Sequence, residues 1–117
     1  MKIEVTTTKS DLGAYLVNAK SKIFDETVIL NTERDAEKTA QFTENVFGGD
    51  YAKFEVYAGE SNGNPVIVAI CDKKFANVFI SDDENALAAV LMFAKVIAMK
   101  IKAAAKAGES NARNADK

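Results

Sequence analysis

The chain has 117 residues, 48% of them apolar and 27% charged, with a formal net charge of −2 and no histidine. That length fits one domain able to bury roughly two-thirds of the surface its unfolded chain exposes, and the slightly acidic balance argues against broad affinity for nucleic acid or anionic membrane. The missing histidines remove zinc sites and His-dependent triads, while the lone Cys71 forbids an intrachain disulfide and suits a reducing compartment.

Lys2 to Thr7 alternates apolar and polar residues, placing Ile3 and Val5 on one side, and is expected to form a half-buried strand. The same N-terminus has no apolar run of the signal-peptide kind, so a cytoplasmic location is the expectation. Thr8 or Ser10 then caps a predicted helix that ends near Ser21. Leu12, Tyr15, Leu16, Ala19 and Ile23 recur there at helical spacing, although Gly13 sits in the first turn. Thr27 to Leu30 reads as a strand, apolar on both sides. Thr32 caps a second, mostly polar surface helix with Asp35 three places on. Ala36, Ala40, Thr43 and Phe47 mark its inner face and Gly48-Gly49 its end.

Beyond Tyr51 the chain turns β-rich. Lys53 to Ala58 alternates, the loop from Gly59 to Asn64 is dense in turn residues, and Val66 to Cys71 has no polar residue, which implies burial on both faces. Asp72-Lys73-Lys74 makes a short turn into Phe75 to Ile80, completing a three-stranded meander. Asp82 to Ala107 is the longest predicted helix, with Ser81 or Asp82 as N-cap, acidic Asp82, Asp83 and Glu84 at its start, and Gly108 as its stop. Leu87, Val90, Phe93, Ala94, Ile97 and Ile101 form its core stripe. Ala88, Met92, Val96, Met99 and Ala103 form a second apolar seam, with Lys95, Lys102 and Lys106 between the two. Lys95 interrupts the apolar run well short of the about 20 residues that a membrane span needs.

The expected fold is therefore α+β: a mostly antiparallel sheet of about five strands, with two shorter helices and one long C-terminal helix packed on it. Residues 1–108 make a single domain, and 109–117 are expected to be a disordered tail. A sheet with strands apolar on both sides needs cover on both faces, either from helices split between them or from a second subunit.

Five groups of residues bear on chemistry or association. Cys71 lies in an apolar run, where burial suppresses the thiolate. Asp82, Asp83 and Glu84 have the oxygens for a hard cation, but capping accounts for them, and no metal or cofactor is expected. Thr8, Lys9 and Ser10, within Thr6 to Gly13, lead from a strand into the predicted first helix, where free N–H groups and hydroxyls favour an anion. Tyr51, Lys53, Tyr57, Lys73 and Lys74 offer aromatic and basic groups, although Glu55 and Glu60 interrupt them. Met92, Val96 and Met99, finally, suit either the core or an oligomer or partner interface.

With no catalytic or cofactor motif, the leading expectation is a small non-enzymatic interaction protein that self-associates, as a dimer, and acts on a macromolecular partner as an inhibitor or adaptor would. A small-ligand or nucleotide binder using Thr6 to Gly13 is the alternative, and a single-stranded nucleic-acid binder the second.

Overall fold

Gly13 decides the course of the N-terminal strands. In the computed structural model, which describes the backbone of residues 2–115 and the side chains of residues 2–108, its φ is +84°. A left-handed residue ends a hairpin loop and does not continue a right-handed helix. The predicted helix from Ser10 to Ser21 is accordingly absent. Ser10 donates from its N–H to Ala14 O, and Ala14 N–H donates back to Ser10 Oγ. The chain reverses into a strand of Tyr, Leu, Val, Asn, Ala and Lys, whose apolar residues fit a two-residue period as well as a helical one.

The elements run β1 (Glu4–Lys9), β2 (Tyr15–Lys20), β3 (Asp25–Leu30), α1 (Glu33–Phe47), β4 (Phe54–Ser61), β5 (Asn64–Cys71), β6 (Lys74–Phe79) and α2 (Glu84–Ala115). The expectation of one sheet of about five strands with three helices is thus overturned. Among the described residues there are two antiparallel three-stranded sheets, ordered β1-β2-β3 and β4-β5-β6, and two helices. The element order βββα occurs twice, although the two halves share no visible sequence repeat.

The second meander follows the sequence closely. Ser61 pairs with Asn64 across a two-residue turn in which Asn62 and Gly63 both have positive φ, the backbone that matches strand twist and that Asn-Gly supplies. Cys71 pairs with Lys74 across a second such turn, at Asp72 and Lys73, and the Asp72 carboxylate accepts from Ala52 N and Lys53 N. Ala76 is the extra residue of a β-bulge in β6, since Asn77 faces Ala69 while Phe75 faces the very next residue, Ile70.

Each helix covers its own sheet and reaches a strand of the other. α1 packs on β1 and β2 and also along β6, while α2 packs on β4 and also along β3. One continuous core results, with Val17, Ala19, Val28 and Leu30 from the first sheet, Val56, Ile67, Ala69, Cys71 and Phe79 from the second, and Val90, Ala94 and Ile97 from α2. α1 is less superficial than its polar sequence suggests, for Ala36, Thr39, Phe42, Thr43, Val46 and Phe47 are all buried. Its two buried threonines donate to the carbonyls four residues back, so neither hydroxyl is left unpaired.

The helix starts obey capping chemistry. Thr32 Oγ1 accepts from Asp35 N, as its sequence predicts. For α2 the cap falls one or two residues later than the expected Ser81 or Asp82. Asp83 Oδ1 accepts from Asn85 N, and Asp83 O takes the first helical bond, from Leu87 N. Ser81 is used differently. Its hydroxyl donates to Oδ1 of the buried Asp35 at 3.0 Å and accepts from Asp83 N, joining the first turns of both helices. At the other end α2 does not stop at Gly108; its backbone continues to Ala115. Of residues 109–117, read from the sequence as a disordered tail, only this backbone course falls within the described residues.

Two substitutions test these assignments with opposite signs. Ser81→Ala removes the side-chain donor to a buried carboxylate and is expected to cost about 1–3 kcal/mol. Lys73→Gly relieves a φ of +68° and is expected to stabilise by about 0.5–1 kcal/mol. Urea unfolding followed by circular dichroism reads both.

Candidate functional site

Two sheets and two helices leave two outer sheet faces and the outer side of each helix to meet solvent or a partner. On the first sheet the outer face is polar. Thr6 lies opposite Asn18 and Asn18 opposite Thr27, flanked by Glu4, Lys20 and Asp25. Asn18 Nδ2 donates to Asp25 Oδ1 and Thr27 Oγ1, so this face satisfies itself. Ile29 is 61% exposed there, which corrects the expectation that Thr27 to Leu30 is apolar and covered on both sides; only Val28 and Leu30 are buried.

The second sheet is the opposite. Strand alternation places Tyr57, Val68 and Val78 in one row across its outer face and Ile70 and Phe75 in the next, with Gly59, Val66 and Ile80 beyond. Glu55 is the only charged residue in its middle. Phe75 is 65% exposed, Ile80 49% and Tyr57 45%, while Val68, Ile70 and Val78 are half-buried. Val66 is buried yet lies outside the core cluster. Among the described residues Val66 is the one fully buried side chain of this face, and Phe75, Ile80 and Tyr57 form an exposed apolar patch beside it. Val66 to Cys71 announced it in the sequence as a run without polar residues; Tyr57, Phe75, Val78 and Ile80 were not singled out as its companions, because their strands also read as ordinary half-buried ones.

The α2 seam is the second uncovered surface. Met92 is 70% and Met99 63% exposed, Val96 is half-buried, and Ala88 and Ala103 are exposed. The predicted helix from Ser10 to Ser21, the cover that a core position for this seam requires, is absent. Its place in the sequence is taken by β2, which packs elsewhere.

The other candidates lie apart. Thr8 and Lys9 are on opposite faces of β1, Ser10 is committed to the hairpin turn, and the Lys9 ammonium lies 5.8 Å from the Tyr15 ring centroid. The helix N-terminus on which their anion-binding reading depended is not present. Tyr51 packs edge-on against Phe54, which faces the core side, whereas Tyr57 is on the outer face, so the aromatic and basic residues do not share one surface. Lys73 and Lys74 sit at the β5–β6 turn. Asp82, Asp83 and Glu84 form the start of α2, and among the described residues no group of three Cys, Asp or Glu side chains could hold a metal ion. A groove of about 330 Å³ between α1 and β6, lined by Lys38, Gln41, Asn45 and Asn77 among others, contains no acid, base and nucleophile in a common geometry.

Cys71 is 1% exposed on the inner face of β5. Burial, and secondarily the negative charge of Asp72, push its thiol pKa above the ordinary value. Stability from this group is complete while both states are protonated, and falls as the pH climbs past the thiol's ordinary value, where the unfolded chain ionises first.

Compared with protein-family models, curated proteins and solved structures, the chain finds no match. No described helix is long and apolar enough to cross a membrane.

The buried thiol yields a direct prediction. In the native chain Cys71 is expected to react with a thiol reagent at least about a hundredfold more slowly than in urea, in proportion to the rarity of opening. Labelling at equal rates would show that β5 is not buried.

Proposed function

We propose that this chain is a small non-enzymatic interaction protein that self-associates and carries a separate surface for a macromolecular partner. The observation that carries the reading is the contrast between the two outer sheet faces. One is mostly polar, its Asn18, Asp25 and Thr27 closed by their own hydrogen bonds, with Leu16 and Ile29 as an apolar pair beside them. The other presents Tyr57, Val68, Ile70, Phe75 and Val78 to solvent. Apolar patches of this kind mark association surfaces on otherwise soluble chains, and a sheet face is self-complementary when a two-fold axis stacks it on a second copy.

Magnitude sets how tight the pair is. Three strands about 4.8 Å apart, at about 3.3 Å per residue over six residues, make a footprint on the order of 300 Å². That is well below the ~800 Å² per partner of a standard stable interface. A weak, reversible dimer follows. The isolated Cys71 and the absence of disulfides are compatible with a cytoplasmic setting.

Size-exclusion chromatography with light scattering across a concentration series tests this. The mass is expected to rise from one copy toward two. Phe75→Lys and Tyr57→Lys, both at exposed positions, should hold it at one copy without altering the circular dichroism spectrum. A wild-type mass of one copy at every concentration up to millimolar would remove self-association from the reading.

A further inference from the structure

The partner surface can be specified further, on the reading of the chain as an interaction protein. Ala88, Met92, Val96, Met99 and Ala103 recur at spacings of four, four, three and four, the seam of a helix built to lie along another helix. This ridge is on the side of α2 away from the core stripe of Val90, Ala94, Ile97 and Ile101. Methionines give it a surface that adapts to its occupant.

Charge names the occupant. From Asn85 to Gly108 the helix has four lysines and no carboxylate, in a chain whose net charge is −2. Lys100, on one flank of the ridge, is ion-paired with Glu26 of β3. Lys95, Lys102 and Lys106 run along the other flank, exposed and without an ion-pair partner among the described residues. We propose that the outer ridge of α2 docks an amphipathic helical segment of a partner protein, one with an apolar stripe bordered by Asp or Glu.

A second copy of α2 does not fit this ridge. Antiparallel pairing sets the row of Lys95 and Lys102 against itself, and parallel pairing sets it against Lys100, whose charge Glu26 already meets. Nucleic acid complements the lysines but leaves the methionine ridge without an apolar counterpart. An acidic amphipathic helix answers both features, and the like charge of competing surfaces supplies discrimination.

The test uses a fluorescently labelled synthetic peptide of three heptads, with Leu at the a and d positions and Glu at e and g, whose own copies repel. A matched peptide carries Lys in place of Glu. By anisotropy, the full chain is expected to bind the Glu peptide at least about tenfold more tightly than the Lys peptide. Lys95→Glu with Lys102→Glu should reverse that preference, and Met92→Ser with Met99→Ser should weaken the Glu peptide about tenfold. All four positions are exposed, so the circular dichroism spectrum should not change. Equal affinity for both peptides, a preference indifferent to charge reversal, or binding of a labelled single-stranded oligonucleotide or an anionic phosphatidylserine vesicle in place of the Glu peptide would overturn the proposal. So would a lower mass by light scattering for the Met92 and Met99 variant, which would make the ridge a contact between copies. Self-association is read by mass and depends on Phe75 and Tyr57, so the two readings fail independently.

Discussion

Two helices must cover two sheets, and this constraint shapes everything else in the chain. A three-stranded sheet has more apolar inner surface than one helix of ordinary width hides, so each helix lies over its own sheet and extends along a strand of the other, β6 for α1 and β3 for α2. The ion pair between Lys100 and Glu26 and the bond from Lys38 Nζ to Ile80 O lie at these crossings. Exposed polar contacts of this type contribute little energy; the stabilisation comes from Val90, Ala94 and Ile97 on one side and Phe42, Val46 and Phe47 on the other, all at most 3% exposed. With both helices committed to the inner faces, no described helix remains to cover the outer ones.

The outer surfaces divide the labour accordingly. Threonine and asparagine keep the first sheet wet, and charged residues at Glu4 and Lys9 on β1 and at Glu55 and Glu60 on β4 discourage another strand from adding to the β1 and β4 edges. Association is thereby directed away from the edges and toward surfaces: the face of the second sheet and the ridge of α2. These two differ in chemistry. The sheet offers aromatic and branched side chains with almost no charge, whereas the ridge is small and flexible with cations along its side.

What the sequence made legible follows from how unambiguous each local signal is. Gly59 to Asn64 and Asp72-Lys73-Lys74 marked the second meander, although the strands run into the first loop and leave only Asn62 and Gly63 as the turn; Thr32 marked the start of α1, and the stripe from Leu87 to Ile101 the core side of α2, because turn chemistry, capping and periodicity are locally unambiguous there. Residues 10 to 21 failed because Leu12, Tyr15, Leu16 and Ala19 satisfy a helical spacing while Tyr15, Val17 and Ala19 satisfy an alternating one. Gly13 arbitrated, and Leu12, expected in a core, is 97% exposed at the hairpin tip. Without β2 as a strand the first sheet cannot be counted, so the division into two sheets was out of reach. The second α2 seam was legible as a pattern, but its destination depended on that same misread segment. The aromatic outer face was half visible, through Val66 to Cys71, since neighbouring strands reveal their shared face only once register and the Ala76 bulge are known.

The topology also governs how such a chain acquires its structure. Every strand pairing joins strands consecutive in sequence, so the loops that must close are short and their entropic penalty is small. Hairpins can therefore nucleate early in either half. Yet neither βββα unit can bury its helix by itself, because part of each helix's contact lies on the other unit, and the Ser81 hydroxyl reaches its Asp35 acceptor only when both are in place. Local speed is joined to long-range dependence: the halves form their turns separately but complete the shared core only together.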